Sequence, residues 1–161
     1  MSDKVDCDET KGELKLGGRR YILMSMDALC NHLDLLVGTK VAEVIMRKLE
    51  LQEATEEAER FFQEHANAKV EDFINYLIKY DALSGVGLPS VNISSNPNAP
   101  ITIEISNPYT KKTEGSMKSL LFSWWCGALS SALKRELDIW STTYDATKDI
   151  LKCTLVYRQK Q

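Results

Sequence analysis

Apolar residues recur along this chain with two periods, near two and near 3.6, and the switches between them mark its elements. Leu14 and Leu16 alternate with Glu13 and Lys15. Gly17-Gly18 can take the positive φ of a two-residue hairpin turn, and Arg20-Tyr21-Ile22-Leu23-Met24 reads as the returning strand. Ser25 is placed to cap a first helix with Leu29, Leu33 and Leu36 on one stripe, Gly38 to end it, and Thr39 to cap a second. The second helix carries Val41, Val44, Ile45 and Leu49, then continues through the acidic run Glu53 to Glu59, expected as a solvated face, into Phe61-Phe62. A third helix has the cleanest amphipathic spacing, with Val70, Phe73, Ile74, Leu77 and Ile78 at i, i+3, i+4, i+7 and i+8.

Gly85, Gly87 and Pro89 break that helix, and strands are expected over residues 90–94 and 101–106. Asn96-Pro97-Asn98-Ala99-Pro100 turns the chain between them, and Asn107-Pro108 closes the second strand. From Met117 to about Leu137 the apolar residues cover more than one helical face, so this longest helix must be buried on most sides. A closing hairpin follows, residues 139–144 and 150–158 around a polar turn at 145–149. Residues 1 to about 11 are charged and lack periodicity, so they are expected as a flexible arm before a single domain over 12–161.

A length of 161 residues suits one domain with a real core. A net charge of -3 supplies no field to gather phosphate backbones, which argues against nucleic acid as a partner. No apolar run approaches the roughly 18 residues that span a bilayer. The four cysteines, Cys7, Cys30, Cys126 and Cys153, are scattered without a C-x-x-C pair, which suits a reducing cytoplasm and argues against zinc. The polar acidic start has no signal-peptide character, so the Asn92-Ile93-Ser94 triplet reads as chance.

Catalysis would need a base beside a nucleophile, or paired carboxylates in a cleft. His32 and His65, the two histidines, read as surface or capping residues. Cys126 in an apolar helix would have a raised pKa and low reactivity. Gly85-Val86-Gly87 follows a helix and leads to a strand, the reverse of the dinucleotide-binding order. No enzyme constellation emerges, and neither cofactor nor metal is expected. Trp124 and Trp125, with Leu121, Phe122 and Cys126, could instead line an apolar pocket in which indole N–H groups orient a guest. Phe73, Tyr76, Leu77 and Tyr80, with Trp140 and Tyr144, are the next candidates. Core packing is the alternative use of each, as it is for the small residues Ser123, Gly127, Ser130 and Ser131.

The order of these pieces resembles the 4-vinyl-reductase domain over about residues 12 to 158: an Arg-Tyr-Ile-Leu-Met strand, two helices punctuated by Gly38, a third running into Gly85-Val86-Gly87, a hairpin, a long helix and a closing hairpin. The stretch Ser119-Leu120-Leu121-Phe122-Ser123-Trp124-Trp125-Cys126-Gly127-Ala128-Leu129 also resembles the matching helix of TRAPP small subunits, which share the superfamily. The resemblance implies an α+β fold of helices on an antiparallel sheet, a homodimer, and an apolar pocket between helices and sheet. Several family members carry zinc near the closing hairpin. Here Cys153 stands at the last of those cysteines, while Thr142 and Asp145 occupy the places of an acidic residue and an earlier cysteine, and this set is too small for zinc.

The expectation is therefore a non-catalytic, dimeric, cytoplasmic module for a hydrophobic small molecule or lipid, bounded by Phe73, Tyr76, Leu77, Leu121, Trp124, Trp125 and Trp140. The alternative is a TRAPP-like protein interaction scaffold without a ligand. A reductive or metal-dependent enzyme, suggested only by the family name, would need flavin or metal.

Overall fold

The structure, a computed structural model, describes residues 5–8, 13–16, 19–21, 25–96, 98–111, 113 and 115–158. In chain order the elements are β1 (Val5–Asp8), β2 (Glu13–Leu16), β3 (Arg19–Tyr21), α1 (Met26–Val37), α2 (Thr39–Glu64), α3 (Val70–Ser84), β4 (Leu88–Asn92), β5 (Ile101–Ser106), α4 (Gly115–Leu133), β6 (Leu137–Asp145) and β7 (Ile150–Tyr157). Strands β1-β2-β3 form one antiparallel sheet and β4-β5-β7-β6 a second, so the chain is α+β, with four helices and an antiparallel four-stranded sheet.

The N-terminal arm expected over residues 1 to about 11 is corrected in part: Val5–Asp8 pairs with Glu13–Leu16. Its alternation Val5-Asp6-Cys7-Asp8 has strand period over four residues, a signal too short to stand out among charges. Strands β2 and β3 pair as the expected hairpin, while its Gly17-Gly18 turn and residues 22–24 lie outside the described residues.

Ser25 caps α1 as expected, its hydroxyl accepting the Ala28 N–H at 3.2 Å. Gly38, at φ +81, both ends α1 and precedes α2, so Thr39 is already helical and caps nothing. Helix α2 does run through the acidic stretch, 26 residues or about 39 Å. At the start of α3 the Asp72 carboxylate accepts the Lys69 N–H at 2.8 Å, and Gly85 closes the helix.

Helix α4 starts and ends earlier than its apolar run suggested, because Lys134 turns left-handed at φ +52 and frees Leu137 to begin β6. Every residue from Gly115 to Leu129 except Lys118 and Leu120 is buried. The sheet encloses one side. Ile101, Ile103 and Ile105 of β5 stand opposite Leu155, Cys153 and Leu151 of β7, and all six are fully buried. Cys126 Sγ–H donates to the Leu137 carbonyl at 3.2 Å, and the Leu137 N–H donates to Ser130 Oγ at 3.1 Å, tying helix to strand. Pro89, read from the sequence as a break, lies inside β4, which tolerates it as an edge strand.

Helix α2 covers another side of α4. Lys118 reaches Glu43 at 2.6 Å and Gly127 meets Leu51, so the two helices run in the same direction. They meet through small residues: a Cβ on Gly127 would lie 2.9 Å from the Leu51 carbonyl oxygen and 3.1 Å from Ala54 Cβ. The α2 face turned inward is Ala42, Met46, Ala54, Glu57, Ala58 and Phe61. The larger apolar residues read at helical spacing in α1 and α2 are turned the other way. Leu36 of α1 is 81% exposed, and Val41, Val44, Ile45 and Leu49 of α2 lie on the outer surface. Periodicity identifies residues that share a face, and close helix contact selected the small-residue face for the interior.

Gly127→Ala is expected to lower the melting temperature by several degrees, a loss of ~1–3 kcal/mol from overpacking against α2 backbone. Alanine is otherwise favoured over glycine in a helix by about 1 kcal/mol, so a rise in the calorimetric Tm would deny the close approach.

Candidate ligand site

Where α2, α3 and α4 converge, aromatic rings fill the space. Phe61 of α2 lies 5.1 Å from both Phe73 and Tyr76 of α3, measured between ring centroids. Phe62 lies 5.4 Å from Phe73. Tyr76 continues to Tyr80 at 6.3 Å, and Tyr80 stacks on Trp124 at 6.0 Å with 21° between planes. Rings at these separations attract one another beyond their burial, so they lock α3 to its neighbours. Of the seven residues expected to bound a ligand, Phe73, Tyr76, Leu77, Leu121, Trp124 and Trp125 belong to one continuous apolar cluster, Tyr76 as a partly buried member.

Trp140 does not join them: it is 74% exposed. Strand β6 pairs Ile139 with Leu155 and Ser141 with Thr154, leaving Trp140 as the extra residue of a bulge. A bulge interrupts the inward and outward alternation, which carries the indole to the outer surface. Tyr144, beyond the bulge, donates its hydroxyl to Asp149 in the turn.

Two acidic side chains that the sequence gave no reason to single out project into this aromatic interior. Asp81, 4% exposed, lies on the same α3 stripe as Leu77 and accepts the Trp125 indole N–H at 2.7 Å. Burial pushes its carboxyl up to about 7, against the lowering effect of that hydrogen bond. Glu50, one turn beyond Met46 on the inner face of α2, is pushed up to about 8 by burial and by the charges of Glu53 and Asp81. A third, Glu57, corrects the expectation that the Glu53 to Glu59 run is a solvated face. It is 3% exposed, accepts the Tyr76 hydroxyl at 2.6 Å and pairs with Arg60. The available signal was position: Asp81 follows Leu77, and Glu57 follows Ala54, at helical spacing.

Trp124 differs from its neighbour. Its indole Nε1 is buried and has no hydrogen-bond partner among the described residues. A buried donor left unmade costs ~1–3 kcal/mol, and the N–H is therefore available to an acceptor that enters the interior.

Of the two histidines only His65 touches this cluster, stacking on Phe61 at 4.6 Å with 25° between planes from the exposed end of α2. His32 is exposed with Nδ1 2.6 Å from the Ala28 carbonyl oxygen, and His65 terminates α2. Burial pushes the Cys126 thiol up to about 11 and the Cys153 thiol up to about 12, so neither is a thiolate near neutral pH. Thr142 stands directly opposite Cys153 across β6 and β7, and Asp145 accepts hydrogen bonds from Thr147. Among the described residues no three of His, Cys, Asp and Glu are grouped to hold a metal ion, and no helix is long and apolar enough to cross a membrane.

No protein-family model matches the chain, and no curated protein does. Solved structures do. The phenol-responsive sensory domain of the transcription activator PoxR, crystallised with phenol, superposes with a TM-score of 0.67 at 12% identity, covering 95% of this chain and 84% of that one. A vinyl-4-reductase family protein from Methanocaldococcus jannaschii superposes with a TM-score of 0.55 at 16% identity, covering 86% and 85%. The chain has the vinyl-4-reductase fold. A trafficking protein particle complex subunit 3 from Naegleria fowleri, covalently bound to palmitic acid, is similar at a TM-score of 0.49 and 10% identity, covering 80% and 87%. The aromatic seam of α2, α3 and α4 holds the Tyr80–Trp124 stack, the Asp81–Trp125 hydrogen bond and the unpartnered Trp124 indole N–H.

A carboxyl that holds its proton more tightly in the folded than in the unfolded state favours folding at low pH. That advantage is lost as pH rises from about 4 toward the folded pKa. The melting temperature is accordingly expected to fall by several degrees between about pH 5 and pH 8. Asp81→Asn and Glu50→Gln should flatten the curve, while a Tm that climbs over this range would contradict the placement of both carboxyls.

Proposed function

We propose that this chain is a non-catalytic module that binds an apolar or aromatic small molecule between α2, α3 and α4 and serves as a dimeric sensor or carrier in the cytoplasm. Phe73, Tyr76, Leu77, Leu121, Trp124 and Trp125 bound the guest. The observation that carries this reading is the buried, unpartnered Trp124 Nε1–H amid stacked rings. An apolar interior with a buried indole donor to spare suits a largely hydrophobic guest that carries an acceptor group, and Asp81 offers a second polar contact one residue from Tyr80. The fold shared with a sensory domain that responds to phenol supports the choice of ligand class. A protein interaction scaffold with a self-filled interior is the second reading, favoured by the aliphatic residues exposed on α1 and α2.

Native mass spectrometry of the purified chain, with thermal melts against phenol, larger alkylphenols and a medium-chain fatty acid, tests the proposal. A bound guest is expected to stabilise the fold by about 2.7 kcal/mol at a concentration of 100 times its Kd. Trp124→Phe keeps the ring and removes the donor, so it should weaken an acceptor-bearing guest about fivefold to tenfold while leaving the unliganded Tm within a few degrees. A bare polypeptide mass with no stabilisation by any probe would leave the scaffold reading standing instead.

A further inference from the structure

Glu50 stands between Met46 and Ala54 at helical spacing on the inner face of α2, and Asp81 of α3 lies near enough that its charge opposes ionisation of Glu50. The Trp125 indole N–H uses Asp81 Oδ2, which leaves Oδ1 open. From α4, Ser123 is 1% exposed, and its buried hydroxyl has no hydrogen-bond partner among the described residues. Helices α2 and α4 run in the same direction and Gly127 meets Leu51 and Ala54, so one turn earlier Ser123 is turned toward the part of α2 that holds Glu50. Glu50 is only partly buried, so room remains beside its side chain.

A buried carboxylate is ordinarily matched by a cation. Among the described residues none is paired with Glu50 or Asp81. The cations of α2 and α4 are engaged elsewhere, Arg47 with Asp138, Arg60 with Glu57 and Lys118 with Glu43. Glu53 of α2 adds negative charge, and α4 presents only the Ser123 hydroxyl and the Trp125 indole. Burial therefore holds both carboxyls toward their neutral forms.

We propose that the guest of this seam is a hydrophobic primary amine whose ammonium is received by Glu50, Asp81 and Ser123. This deepens the proposed function and rests on it, naming a polar group that its guest carries. A primary ammonium has only donors to offer, and these side chains supply acceptors that the fold leaves open. The rings beside them, Tyr80 and Trp124, favour the same charge, since aromatic faces attract cations. An entering ammonium draws the carboxyls into their charged forms, so protons leave as the guest binds.

Isothermal titration calorimetry on the full chain tests this with tyramine and 4-ethylphenol, which differ only in the amine. Tyramine is expected to bind at least about tenfold tighter at about pH 8, as hydrogen bonds to charged groups warrant. Its affinity should rise several-fold per unit from about pH 5.5 to 7 and level near pH 8 as the carboxyls ionise, while that of 4-ethylphenol stays flat. Glu50→Gln and Asp81→Asn should each cut the preference for tyramine about tenfold and flatten its pH profile, whereas a general loss of folding would weaken both probes alike. A 4-ethylphenol bound as tightly as tyramine, or a preference that survives both substitutions, overturns the amine while a small-molecule guest stands. Binding of neither probe, with a bare polypeptide mass in native mass spectrometry, overturns the ligand reading as well.

Discussion

From Leu121 to Leu129 helix α4 has no side that water can wet, and the architecture follows from having to enclose it. A helix apolar all round is stable only when other elements bury every face. The sheet takes one side through the isoleucines of β5 and the matching residues of β7. Helix α2 takes a second by bringing its backbone against Gly127, an approach that only small residues allow. The third side falls to α3, which reaches α4 through large rings, Tyr80 on Trp124 and Asp81 under the Trp125 indole.

The three sides differ in character, and the difference locates the chemistry. Against the sheet the contacts are mostly aliphatic, with Cys126 and Ser130 bonded to the Leu137 backbone, and against α2 they are close, with Lys118 paired to Glu43 at one end. Toward α3 they are aromatic and include polar atoms that water would otherwise satisfy: two carboxyls that burial drives toward their neutral forms and one indole donor without a partner. Buried polar groups cost stability unless paired, so the unpartnered Trp124 indole on this seam marks a part of the interior where a guest with an acceptor has something to offer. Helix α2 links this seam to the outside, since the inner face that carries Glu50 backs onto the exposed aliphatic stripe.

Much of this was legible in the sequence, because regular spacing reports elements directly. The Val70 to Ile78 pattern gave α3, the alternation from Ile101 gave β5, and the all-round apolar run gave a buried α4. Spacing was silent about which face of α1 and α2 turns inward. Ala42, Ala54 and Ala58 contribute little apolar signal, yet they win the interior because they let α4 come close. Acidic residues at helical spacing normally mean a wet face, so Asp81 and Glu57 passed unnoticed until Trp125 and Tyr76 were seen bonded to them. Trp140 was misplaced because a single bulge residue breaks the alternation of β6, and no residue type there announces it.

The enclosure of α4 is tested most directly by native-state hydrogen exchange resolved along the chain. Amides enclosed on all sides open only when the whole domain unfolds, so those from about Leu121 to Leu129 should exchange with the free energy of global unfolding, slower than those of α1. Exchange of the α4 amides at rates matching exposed α1, by local opening well below the global unfolding free energy, would contradict an enclosed α4.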